Sequence, residues 1–194
     1  MRQRFIFFLS FFLFWGCNEA TLFKSVGNTL AAPVSLAVDV ANLRAYVVNS
    51  NNNVEFTSAT FSILDITNPA APTLVSLSKN PISIPNFSGQ IYYDAVARLA
   101  YVTNRLTTDV TAAPDKLLRI NVNEAVAAFA TVDSFTNGEN PFGISCCDAS
   151  GRIYSVGTAG TLNVFNPADL STSVQVSLAG QLSTGEVFSG VNST

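Results

Sequence analysis

The sequence predicts an all-β chain, an incomplete β-propeller of about three four-stranded antiparallel blades, and three observations carry that reading. One stretch occurs three times: Val38-Asp39 turns into Ala45-Tyr46-Val47-Val48-Asn49, Tyr93-Asp94 into Ala100-Tyr101-Val102-Thr103-Asn104, and Cys147-Asp148 into Ile153-Tyr154-Ser155-Val156-Gly157. Asp39, Asp94 and Asp148 stand about 55 residues apart, as do Tyr46, Tyr101 and Tyr154, the spacing of an array of small modules. Within each unit, apolar and polar residues alternate in short runs divided by turn residues, and helical periodicity is missing.

Residues 1–16 read as an address. Met1-Arg2-Gln3-Arg4 is basic, and Phe5 to Trp15 is apolar apart from Ser10. That run is too short to cross a hydrocarbon core of roughly 30 Å as a helix, and it suits the apolar centre of a signal peptide. Gly16 stands directly before Cys17, with polar Asn18-Glu19 beyond. The arrangement resembles a bacterial lipoprotein signal, which implies lipidation of Cys17 as the mature first residue. Phe14 and Trp15 depart from the leucine and small residue usual there. An ordinary cleaved signal and an uncleaved anchor are the alternatives. Two or three acyl chains on one cysteine hold a protein firmly to a bilayer, where one chain is marginal. Residues 17–34 follow as the lipidated cysteine, a tether and a closing strand at Leu22-Phe23-Lys24-Ser25-Val26.

Residues 35–180 hold the three blades. Strands are predicted at Ser35–Val38, Ala45–Asn49, Phe61–Leu64 and Thr73–Leu77 in the first unit. The second gives Gln90–Tyr93, Ala100–Thr103, Leu117–Ile120 and Ala128–Val132. The third gives Gly143–Cys146, Ile153–Val156, Leu162–Phe165 and Val174–Leu178. Asn68-Pro69 and Asn166-Pro167 mark third-to-fourth-strand turns, where proline ends pairing. Gly151 suits a hairpin that needs positive φ. A single helical turn is expected only at Val122–Ala128, capped by Asn121 to Glu124. Propellers close with about four to eight blades, so three leave the ring open. Residues 181–194 read as the start of an unfinished blade or a tail. The chain is read as a truncated longer propeller, the alternative being an open arc that self-associates through its exposed edges.

Ala100-Tyr101-Val102-Thr103-Asn104 resembles the YVTN signature of β-propeller repeats in bacterial and archaeal surface proteins. Phe61 to Val75, with Leu64-Asp65-Ile66-Thr67-Asn68-Pro69 at its centre, resembles the LVIVD repeat of extracellular bacterial proteins. The likeness runs over about residues 33 to 180, and Tyr154-Ser155-Val156-Gly157 departs from it. It implies a propeller and says little of activity.

The net charge of −3 becomes −5 if residues 1–16 leave, since two arginines and no acids go with them. An acidic surface has no attraction for phosphate backbones, so no nucleic-acid partner is expected. The chain has no histidine, hence neither the commonest general base nor the commonest zinc ligand. No metal or other cofactor is expected, and no phosphate-binding or hydrolase motif occurs.

Asp39, Asp94 and Asp148 recur with Arg44, Arg98 and Arg152 a few residues on. They are read as closing their turns, in preference to a ring of catalytic acids. Tyr46, Tyr101 and Tyr154 are read as packing between blades. What breaks the repeat is the better functional candidate. Long loops on one face carry Asn51, Asn52, Asn53, Glu55, Asn86, Arg105, Asp109, Asp115, Asn137 and Glu139, and these are the candidate binding residues. Cys146-Cys147 is read either as a vicinal disulfide or as two thiols on opposite faces of a strand.

The expected function is an exported, lipid-anchored, non-enzymatic scaffold at the bacterial cell envelope, at the outer membrane or cell surface, binding a protein or glycan. The alternatives are a hydrolase of the propeller-lactonase kind and a vestigial fragment without activity.

Overall fold

The computed structural model describes residues 24, 27, 30–105, 116–137, 140–146, 151–157 and 160–178. The expected signal and tail, and Cys17, Asp109, Asp115, Glu139, Cys147 and Asp148, lie outside these residues. No helix occurs among the described residues, and the strands form three antiparallel sheets, none closed on itself.

The first sheet is built from β1 (Pro33–Asp39), β2 (Arg44–Asn49), β3 (Ala59–Asp65), β4 (Thr73–Leu74) and β5 (Ile82–Ile84). The second has β6 (Ser88–Asp94), β7 (Leu99–Asn104), β8 (Lys116–Asn121) and β9 (Val132–Thr136). The third has β10 (Pro141–Cys146), β11 (Ile153–Gly157), β12 (Thr161–Asn166) and β13 (Asp169–Ser177). Each sheet is a meander, with consecutive strands paired, and the first strands β1, β6 and β10 lie side by side.

Two of the expected fourth strands are placed differently. In the first sheet the outer edge of β3 is shared: Leu64 and Asp65 pair with β4, while Ala59 to Phe61 pair with β5. Ile63 falls between the two. Asn80 fills that position with its side chain, Oδ1 accepting from Ile63 N at 2.9 Å and Nδ2 donating to Ile63 O at 2.9 Å and Val75 O at 2.8 Å. A side-chain amide thus stands in for a missing strand residue, because it carries the same donor and acceptor as a peptide. In the second sheet the fourth strand is Val132–Thr136, and the segment predicted as strand from Ala128 forms turns. Ala130 N donates to Asn121 O and Thr131 N to Ala128 O, which uses the amides a ladder would need. The helical turn expected at Val122–Ala128 is replaced by the same turns, with Asn123 Oδ1 accepting from Ala125 N at 3.1 Å.

Two cores lie between the three sheets. Tyr46, Val48, Phe61 and Ile63 of the first sheet meet Ala100, Val102, Leu118 and Ile120 of the second, all essentially inaccessible. Tyr101 and Leu117, on the opposite face of the second sheet, meet Ile153, Phe165 and Leu170 of the third. Both faces of the second sheet are therefore buried at its centre, which suits the consecutive apolar residues Leu99-Ala100-Tyr101-Val102 of β7 and Leu117-Leu118 of β8. At the rim, Arg44 ties the first two sheets, its Nε 2.8 Å from Glu124 Oε1 and its Nη1 3.4 Å from Asp65 Oδ2.

Candidate functional site

Each first strand opens with a break in register: between Pro33 and Ser35, between Ser88 and Ile91, and between Pro141 and Gly143. A bulge releases its residue from the in-and-out alternation of the strand. The released residues, Val34, Gly89 with Gln90, and Phe142, all line one cleft of about 280 Å³ where the three first strands begin.

Loop residues complete its walls. Phe87 N donates to Ser50 O at 2.8 Å, and Ser50 N to Ala32 O at 3.0 Å, so the entry to β1, the end of β2 and the entry to β6 are laced together. Ser50 Oγ donates to Asn52 Oδ1 at 2.5 Å, which leaves the Asn52 amide nitrogen as a donor. The Arg105 guanidinium carbon sits 5.6 Å from the centre of the Phe142 ring, a cation–π pair at the rim. Gly89 allows a close approach: a Cβ there would lie 3.0 Å from Thr103 Oγ1, the oxygen that accepts from Gln90 N at 3.0 Å, and would press that side chain aside. The cleft thus combines donors on Arg105, Asn52 and Gln90 with the apolar surfaces of Val34, Phe87 and Phe142. Such a lining suits a ligand rich in acceptor oxygens with an apolar portion.

Of the expected binding residues, Asn52 and Arg105 line this cleft. Asn51 and Asn137 are buried framework. Asn51 Nδ2 donates to Phe56 O and Asn86 Oδ1, both at 2.9 Å, and its Oδ1 accepts from Phe56 N, so it holds the β2–β3 loop in shape. Asn137 Nδ2 donates to Ser155 Oγ at 3.0 Å. Asn53 and Glu55 are exposed, and the Glu55 carbonyl accepts from Lys24 N in an isolated parallel bridge. Val34, Gln90 and Phe142 were not among the expected residues. The recurrence of a strand-opening proline, in Pro33-Val34-Ser35-Leu36 and Pro141-Phe142-Gly143-Ile144, is the signal that marks two of them.

Asp39 and Asp94 serve their turns. Asp94 Oδ1 accepts from Val96 N and Ala97 N. Asp39 accepts from Asn42 N and Asn42 Nδ2, and also from Tyr93 Oη at 2.6 Å and Tyr46 Oη at 3.4 Å. Burial pushes the Asp39 carboxyl up, but these bonds outweigh it and hold the group below its usual range. Burial first, then the bond to Asp39, pushes the Tyr93 phenol far above the ordinary tyrosine range. Arg44 and Arg98 pair elsewhere: Arg44 with Glu124, and Arg98 Nη1 with Asn123 Oδ1 at 2.9 Å. Cys146 is disulfide-bonded.

No protein-family model matches the chain, and no curated protein matches it in sequence. Solved structures match it in fold. The structure of U3-55K aligns with a TM-score of 0.54 at 9% identity, covering 79% of this chain and 42% of that one. A functionally unknown protein from Desulfotomaculum acetoxidans DSM 771 aligns with a TM-score of 0.50 at 17% identity, covering 73% and 41%. At such identities the likeness is one of fold, and this chain spans less than half the length of either structure.

Proposed function

We propose that the chain is a propeller-type binding scaffold, held at the bacterial cell envelope by lipid on Cys17, which offers the bulge-walled cleft to an acceptor-rich protein or glycan. The observation that carries the reading is the convergence of three bulges, one from each sheet, on a single cleft with Asn52 and Arg105 at its edge. Repeated sheets supply rigidity, and one released position per sheet supplies the contacts. The chemistry is recognition: donors take the ligand's carboxylate or hydroxyl oxygens, and the Phe142 ring takes its apolar side.

Binding of the purified chain to arrays of acidic peptides and of acidic and neutral glycans tests this. Arg105→Ala and Phe142→Ala are each expected to weaken the best ligand about tenfold, the scale of one charge-assisted or aromatic contact, with the far-ultraviolet spectrum unchanged. Binding that is indifferent to both substitutions would place recognition elsewhere.

A further inference from the structure

We propose that the bulge-walled cleft takes a carboxylated sugar, a single uronic acid unit, and that Arg105 sets the preference for the acid over its neutral counterpart. The inference rests on the cleft as the binding site of the scaffold and names the ligand that fits it. Charge comes first. Among the described residues that line the cleft, Arg105 is the one charged side chain, and no carboxylate accompanies it. Arg44 and Arg119 are each ion-paired with acids, whereas no ion pair among the described residues engages Arg105. A half-buried guanidinium with no acid beside it favours an anion, and its planar fork matches the two oxygens of a carboxylate.

The rest of the lining separates a sugar from a peptide. Val34, Phe87 and Phe142 give apolar walls, and the Phe142 ring is 56% exposed with the Arg105 guanidinium carbon 5.6 Å from its centre. A pyranose presents a face of C–H groups to such a ring, and the carboxylate of a uronic acid projects from the pyranose edge, within reach of the cation. Hydroxyls both donate and accept, and carboxamides do the same. The Gln90 side chain is exposed, and the Asn52 amide nitrogen stays available while its oxygen takes the Ser50 hydroxyl. A peptide strand asks for something different, an unbroken row of edge amides and carbonyls. All three first strands break register at the cleft, and Gly89 O already accepts from Ser35 Oγ at 2.6 Å. Size agrees with the sugar. At about 280 Å³ the cleft is smaller than the roughly 300–1,000 Å³ that drug-sized ligands occupy, which leaves room for one sugar unit.

Isothermal titration of the full chain purified in detergent tests it. The probes are methyl glucuronide, galacturonide and mannuronide, the matching neutral methyl glycosides, and triglutamate as an acidic peptide. At least one uronide is expected to bind about tenfold or more tighter than its neutral glycoside and than triglutamate, the scale of one charge-assisted pair. Arg105→Gln is expected to remove that margin and Arg105→Lys to restore part of it. Phe142→Leu is expected to weaken uronide and glycoside together, since it touches the ring and not the charge. Raising salt from about 0.05 M to about 0.5 M is expected to shrink the margin of the unsubstituted chain, a readout that needs no variant to fold. A uronide no tighter than its neutral glycoside would overturn the acid preference. Triglutamate as the tightest probe would overturn the sugar and keep the cleft as the site of recognition. No uronide bound at millimolar concentration would overturn the inference and leave the scaffold proposal to the arrays. Uronide binding untouched by Arg105→Gln and Phe142→Leu alike would move recognition away from the cleft and overturn both proposals together.

Discussion

Asn80 is a single side chain with the work of a strand residue. Ile63 is buried, and both its amide and its carbonyl depend on the Asn80 carboxamide, the carbonyl sharing itself with Val75 N. Asn80→Ala leaves a buried amide without a partner, and is expected to cost about 2 kcal/mol, read as a lower urea midpoint. Asp39 offers a second test at this scale, with its sign set by linkage. Its depressed carboxyl contributes stability that is present above about pH 4 and lost as pH falls through the folded value. Tyr93→Phe removes one bond to that carboxylate, so part of this contribution is expected to be missing at neutral pH and the loss of stability on acidification to be smaller. At the other end, burial raises the phenols of Tyr46, Tyr92, Tyr93 and Tyr101. The fold keeps protons that the unfolded chain gives up near pH 10, so stability falls as pH climbs past that value. Phenolate absorbance is then expected to appear together with unfolding. Sequence reading found that Asp39 closes its turn, because the amides it meets are three residues away. It could not find Tyr93, which arrives from the next sheet, 54 residues along the chain.

Among elements, the second and third strands of each sheet were legible, and so was the fourth strand of the third sheet, whereas the fourth strands of the first two sheets were placed only in part. Alternation of large apolar residues against a buried face is strong in Arg44–Asn49, Leu99–Asn104 and their partners. The outer strands answer to turns and edges instead. Ala128 to Val132 alternates like a strand, but the carbonyls of Asn121 and Ala128 take the amides of Ala130 and Thr131 and bend the segment into turns. The β4–β5 division depends on an amide from beyond the strand, which no local pattern announces. The two ways in which the first sheet holds the second are separable by substitution. Phe61→Ala, at an inaccessible position whose ring stacks 5.8 Å from Tyr46, is expected to cost about 3–4 kcal/mol in urea unfolding. Glu124→Gln is expected to cost under about 1 kcal/mol, since the pair is partly exposed and Arg44 retains Asp65. If the order were reversed, the sheets would be joined at the rim and not through their packed faces.

For the whole molecule, repetition at a fixed spacing disclosed the three sheets of the described residues and their internal order. The cleft stayed hidden because it is assembled from three strand openings that are remote in sequence and alike in only two cases, Pro33-Val34 and Pro141-Phe142. The proposed anchor is tested at this scale too. Cys17→Ser is expected to move the chain from the membrane to the soluble fraction, and intact mass is expected to show acyl chains on Cys17 of the unsubstituted protein. The bulges have one more consequence. Elsewhere in these strands a changed side chain must satisfy either a packed interior or its neighbours across the sheet. At Val34, Gln90 and Phe142 the backbone has already stepped out of that bargain, so side chains there can be exchanged while the framework behind them stays put. A library randomised at those three places should therefore keep its melting temperature and scatter its choice of ligand, one independent dial for each repeat.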